Sequence, residues 1–65
     1  MLDEIKELYA QIYEKTKFIS LVAANLGKQP RSLRNHWFGS FWAIPADYQP
    51  KVVELLKKTI KQQYE

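Results

Sequence analysis

The sequence predicts an all-α fold, a small bundle of about four helices within a single domain spanning residues 1–65. Three observations carry that expectation. Apolar residues recur at three- and four-residue steps in separate stretches. Most of the glycine and proline falls between those stretches, where it punctuates them. No stretch alternates apolar and polar residues as a half-buried strand does.

Residues 2–14 read as the first helix. Leu2, Ile5, Leu8, Tyr9 and Ile12 lie on one side of a 3.6-residue period, with Tyr13 at the edge of the stripe. Asp3 and Glu4 sit in its first turn, where carboxylates complement the helix dipole. Thr16 is the expected N-cap of a second helix with the stripe Ile19, Val22, Ala23 and Leu26. Gly27 suits the left-handed conformation that closes a helix. Pro30 suits the first turn of a third helix running to Phe38, and Gly39-Ser40 is expected to end or loosen it. Residues 44–50 hold two prolines and read as a turn region. A last helix runs from about 50 to 63, with Val52, Val53, Leu56 and Ile60 on one stripe and Leu55 beside it. Lys51, Glu54, Lys57, Lys58 and Lys61 face water. Residues 1 and 65 are both expected in helices with polar ends, which suits a complete protein.

Composition excludes several classes. With 46% hydrophobic and 26% charged residues the chain is globular, not a disordered tail. The absence of cysteine rules out disulfides and thiolate metal sites. One histidine and no close carboxylate set argue against any metal or cofactor. No apolar run approaches the roughly 20 residues of a membrane span. The N-terminus, MLDEIKEL, is acidic and periodic, unlike a signal peptide. A soluble, cytoplasmic chain is expected. At 65 residues it is too small for a substrate pocket of its own, so neither an enzyme nor a small-molecule substrate is expected.

Charge is unevenly distributed. Residues 1–14 carry Asp3, Glu4, Glu7 and Glu14 against Lys6, a net −3. Residues 15–46 carry Lys15, Lys17, Lys28, Arg31 and Arg34 with no acid, a net +5. Residues 47–65 carry Asp47, Glu54 and Glu65 against Lys51, Lys57, Lys58 and Lys61, a net +1. A one-sign middle segment suits a polyanion, although a solvated basic face has the same composition.

Within that segment, Ala23 lies four residues before Gly27, Val22 and Leu26 flank it as apolar anchors, and Leu33 follows six residues after the glycine. In a helix-turn-helix the small residue lets two helices cross closely, the glycine permits the bend, and the leucine packs back on the first helix. The words Val-Ala-Ala-Asn-Leu-Gly (22–27) and Lys-Gln-Pro-Arg-Ser-Leu-Arg-Asn-His (28–36) resemble the helix-turn-helix of bacterial DNA-binding proteins. The second half is most similar to the LuxR/GerE type, whose recognition helix often reads Ser-x-[Arg/Lys]-Thr-[Val]-[Arg/Lys]-Asn-His. Arg31, Leu33, Arg34, Asn35 and His36 match by type, and Ser32 replaces the usual threonine. Gln29 stands where a capping serine is usual, and Lys28 where an apolar turn residue is usual. The resemblance spans about 18 residues and suits a free-standing, phage- or plasmid-like protein.

The resemblance implies a transcriptional regulator that binds double-stranded DNA, with residues 30–38 as recognition helix. Arg31, Ser32, Arg34 and Asn35 would then reach base edges, arginine toward guanine and asparagine toward adenine. Lys28 and Gln29 at the helix entrance, with Lys15 and Lys17 before the second helix, would hold phosphates or a base edge. His36, three residues after Leu33, is expected on or near the inner face, with no nucleophile or catalytic role.

Trp37, Phe38, Phe41 and Trp42 give a large apolar payload, and residues at such close spacing cannot all point inward. The exposed ones, or Val53, Leu56 and Ile60 of the last helix, would form a homodimer interface, because small helix-turn-helix proteins usually read two half-sites. Two other readings fit the same residues: a protein–protein adaptor or inhibitor using the aromatic face, and single-stranded nucleic-acid binding through stacked aromatics.

Overall fold

In the structure, a computed structural model that describes residues 2–65, the apolar stripes meet in one core. Ile5, Val22, Leu33, Val52 and Leu56 are the large side chains buried most completely in it. Among the described residues they come from four helical segments, with no strand: α1 (Leu2–Ala10), α2 (Lys15–Leu26), α3 (residues 30–40) and α4 (Gln49–Gln63). The expectation for residue 1 lies outside the described residues, and residue 65 lies beyond the end of α4. α1 packs chiefly along α4, and α2 packs on both α3 and α4. An ion pair between Lys57 and Glu4, 3.5 Å apart, crosses the α1–α4 seam at the surface.

α1 stops at Ala10 rather than at residue 14. The Gln11 and Ile12 N–H groups bond to carbonyls three residues back, Leu8 and Tyr9, so the last turn tightens and the chain turns away. Ile12 then enters the core from the corner, not from the helix. The Gln63 side chain holds that corner from α4. Its amide nitrogen donates to the Gln11 carbonyl at 3.0 Å, and its amide oxygen accepts from the Tyr13 N–H at 2.8 Å. α2 also starts earlier than expected. The Phe18 N–H bonds to the Glu14 carbonyl, which places Thr16 inside the first turn and leaves it no capping role. Starting there brings Phe18 as well as Ile19 into the core.

Gly27 closes α2 as expected, at φ 66° and ψ 36°. Its N–H and that of Lys28 both donate to the Ala23 carbonyl, satisfying an end-of-helix acceptor. An added Cβ would meet nothing within 4 Å, so only backbone strain opposes substitution. Gly27→Ala is expected to destabilise the protein by about 1–2 kcal/mol, and Gly27→Asn by less, because asparagine tolerates this region. Urea denaturation of the two variants beside the wild type checks the ranking.

α3 begins with Pro30 in its first turn and runs unbroken to Ser40, past Gly39. Its middle, Leu33–Trp37, is a π-helical turn closed by the Phe38 N–H on the Leu33 carbonyl. The wider turn sets Trp37 and Phe38, four and five residues after Leu33, both over the core. It correspondingly turns His36 outward, so His36 is exposed and not on the inner face. What ends α3 is Phe41, at φ 66° and ψ −43°. The Trp42 N–H bonds to the Ser40 carbonyl at 2.7 Å, making a γ-turn of the strained, positive-φ kind. Such a conformation in a residue with a side chain costs about 1–3 kcal/mol. Ile44, which sequence periodicity could not assign to the core, is buried and anchors the following loop. The Gln49 amide donates to its carbonyl at 3.0 Å.

Candidate nucleic-acid interface

The connection between α2 and α3 is three residues, Gly27, Lys28 and Gln29. It delivers α3 with Leu33 pressed into the core and its opposite side in solvent. The outward residues are Arg31, Ser32, Arg34, Asn35 and His36, followed by the small Gly39 and Ser40. No acidic residue and no large aliphatic side chain interrupts that surface. Among the described residues, none of the side-chain hydrogen bonds or ion pairs uses Arg31, Ser32, Arg34, Asn35 or His36. Some polar groups elsewhere are committed internally, Asn25 to the Leu21 carbonyl, Thr59 to that of Leu55, and Gln63 to the α1–α2 corner, whereas others such as Lys6, Ser20 and Lys58 are used by none of these bonds.

Lys28 is oriented by aromatic rings. Its Nζ lies 5.0 Å from the centroid of Tyr48 and 5.9 Å from that of Trp37, and the two rings are 5.5 Å apart. A cation over two ring faces is held by their quadrupoles, which fixes one positive charge beside the entrance of α3. Gln29 is the residue before the helix. It is exposed and makes no capping bond. Burial pushes the phenol of Tyr9 in α1 above its usual range, and the positive charge of Arg34 opposes that rise.

Two residues expected at a DNA backbone are placed differently. Lys15 donates to the Ile12 carbonyl at 2.9 Å and lies 5.5 Å from the Tyr9 ring centroid, so it braces the α1–α2 corner. Lys17 is exposed and pairs with Glu14 at 3.5 Å. Both stand at the far end of α2, roughly 15 Å along its axis from the turn at 1.5 Å per residue.

The expected dimer surface is largely core. Trp37, Phe38, Val53 and Leu56 are buried within the single chain, and Phe41 and Ile60 pack against them half-buried. The four buried side chains cannot present an interface while the fold holds, because each is already covered by its own chain, and Phe41 and Ile60 keep only part of their surface outside. Of the seven residues expected there, Trp42 alone stands outside, at 76% exposure. A groove of about 400 Å³ lies elsewhere, between the α1–α2 corner and the end of α4, lined by Tyr13, Phe18, Leu21, Thr59 and Gln63 among others. Its charged lining groups, Glu14 and Lys17, pair with each other.

Comparison with protein families, curated proteins and solved structures finds no match for the chain. Among the described residues no group of His, Asp and Glu is arranged to hold a metal ion, and no helix is long and apolar enough to cross a membrane.

Proposed function

We propose that the chain binds double-stranded DNA with sequence preference by laying the outward side of α3 in the major groove, as a small transcriptional regulator does. The observation that supports this reading best is the state of that surface. Five of the six positions 31–36, all but Leu33, are polar or basic and outward, and their side chains join no hydrogen bond or ion pair among the described residues. An arginine can meet a guanine edge with two bonds, and an asparagine an adenine edge in the same way. Lys28 and the exposed Gln29 add donors at the helix entrance, where phosphates are usually held. The resemblance to the LuxR/GerE recognition helix, Arg-Ser-Leu-Arg-Asn-His at 31–36, agrees with these roles.

With Lys15 tied to the corner and Lys17 paired with Glu14 at the far end of α2, the basic groups left for phosphate are Lys28, Arg31 and Arg34, or two of them if one arginine reads a base. The logarithm of affinity should therefore fall against the logarithm of salt concentration with a slope of about −2 to −3 per chain. Fluorescence anisotropy with labelled duplex at several salt concentrations measures it. Absence of duplex binding at about 50 mM salt, where the electrostatic attraction is strong, would end this reading. Binding as a dimer would need a surface other than the buried helix faces. Sedimentation of the complex on DNA reports its stoichiometry.

A further inference from the structure

Trp42 combines two features that the packing of the fold does not require. It is the most exposed large hydrophobic side chain described, at 76%. It follows a residue whose positive φ is held under strain by its neighbours. The Phe41 ring abuts the stacked Tyr9–Phe38 pair edge-on, 5.6 Å from Tyr9 and 6.2 Å from Phe38. The Ile44 N–H bonds to the Phe41 carbonyl, and Ile44 is buried. With the chain pinned at 41 and at 44, the γ-turn projects residue 42 outward. Burying Phe41 and Ile44 would be served equally well by a polar residue there, so an indole leaves a large apolar surface in water without structural return. Backbone strain maintained at an exposed functional group is a recurrent signature of a binding site.

Its surroundings favour one kind of partner. Phe41 packs edge-on against Tyr9, and Trp42 follows two residues after Ser40, the last residue of α3, so the indole stands at the C-terminal end of the helix that presents Arg34. Trp42 also continues the acid-free segment that presents Arg31, Arg34 and Asn35. We propose that Trp42 is a base-stacking residue, set on a rigid turn at the end of α3 to lie against a nucleobase beside the site that α3 reads. This rests on the reading of α3 as a nucleic-acid contact. Flat apolar side chains next to basic groups wedge at base steps in duplexes and stack on unpaired bases in single strands, so the ring chemistry is the same in both.

The test is a titration of the full chain and its Trp42→Ala and Trp42→Phe variants with labelled duplex and with single-stranded oligonucleotide. Intrinsic emission is followed beside anisotropy. Trp42→Phe leaves Trp37 as the sole tryptophan, so with excitation selective for indole the difference from wild type isolates Trp42. The expected result is quenching of Trp42 emission on binding duplex, an affinity loss of about tenfold to a hundredfold in Trp42→Ala, and retention of most affinity in Trp42→Phe. Far-UV circular dichroism should show all three proteins equally folded, because the side chain is outside the core. Quenching by single strands with no duplex binding would overturn the major-groove reading of α3 and keep the stacking role. Duplex binding with equal affinity in Trp42→Ala and unchanged emission would overturn the stacking role and keep the α3 reading. A concentration-dependent dimer lost in Trp42→Ala, with DNA binding intact, would assign the indole to a protein contact and also overturn it. Failure to bind either nucleic acid would remove both readings together.

Discussion

Replacing Arg31 and Arg34 together with alanine is expected to weaken duplex binding by about 2–6 kcal/mol, from roughly thirtyfold upward, at about 1–3 kcal/mol for each arginine that reads a base. Fold stability should change by less than about 0.5 kcal/mol, because both side chains are exposed and join no ion pair among the described residues. Two further proteins separate specificity from charge. Arg31→Lys/Arg34→Lys keeps both positive charges but loses the planar fork that meets guanine or phosphate with two parallel bonds. If the arginines read bases, the lysine variant should bind unrelated duplexes as the wild type does and lose its preference among sequences. If they hold phosphates only, it should bind nearly as well as wild type on every duplex, and the alanine variant should lower the salt slope by about 2. Equal binding by wild type and the alanine double variant would show that α3 does not face the DNA.

The parts of this fold that the sequence made legible are those that depend on near neighbours along the chain. Gly27 closes α2, Pro30 and Pro50 sit in first turns, and the stripes of α2 and α4 point inward, because a helix period and a backbone preference act over a few residues. The end of α1 depends on Gln63, 52 positions away from Gln11, and no local pattern announces it. The π-turn is similar. Trp37 and Phe38 side by side are apolar in sequence, but only the packing decides that both go inward and His36 goes out. At the candidate site the turn and Arg31, Ser32, Arg34 and Asn35 were readable as exposed positions opposite Leu33. Lys15 was not, because a lysine that braces a carbonyl looks like any other in sequence. The interface residues failed for a related reason. Apolar periodicity shows that Val53, Leu56, Trp37 and Phe38 need cover, and in so short a chain the cover came from the chain itself.

Phe38 should be among the positions where truncation costs most. Its ring lies 4.9 Å from Tyr9 of α1, stacked at 14°, and 5.8 Å from Phe18 of α2, edge-on. Phe41, beyond the end of α3, meets it at 6.2 Å. One side chain thus joins α1, α2 and the strained turn that presents Trp42. Phe38→Ala is expected to cost about 3–5 kcal/mol, the range for a buried phenylalanine that leaves a cavity. At roughly 0.05–0.15 kcal/mol per residue, a chain of this length holds about 3–10 kcal/mol in all. The variant should therefore be substantially unfolded or close to it, with a melting temperature far below wild type in circular dichroism. Phe38→Leu keeps most of the volume and gives up the ring geometry, which is worth about 0.5–1.5 kcal/mol per aromatic pair, so it should stay folded with an intermediate melting temperature. The leucine variant also tests the turn. Without the Phe38 edge contact, Phe41 is held on one side by Tyr9 alone, and its positive φ should relax first. That relaxation would free Trp42, seen as faster depolarisation of its emission while the helices remain. A Phe38→Ala protein that loses less than about 1 kcal/mol would mean that this aromatic cluster does not hold α1 and α2 to α3.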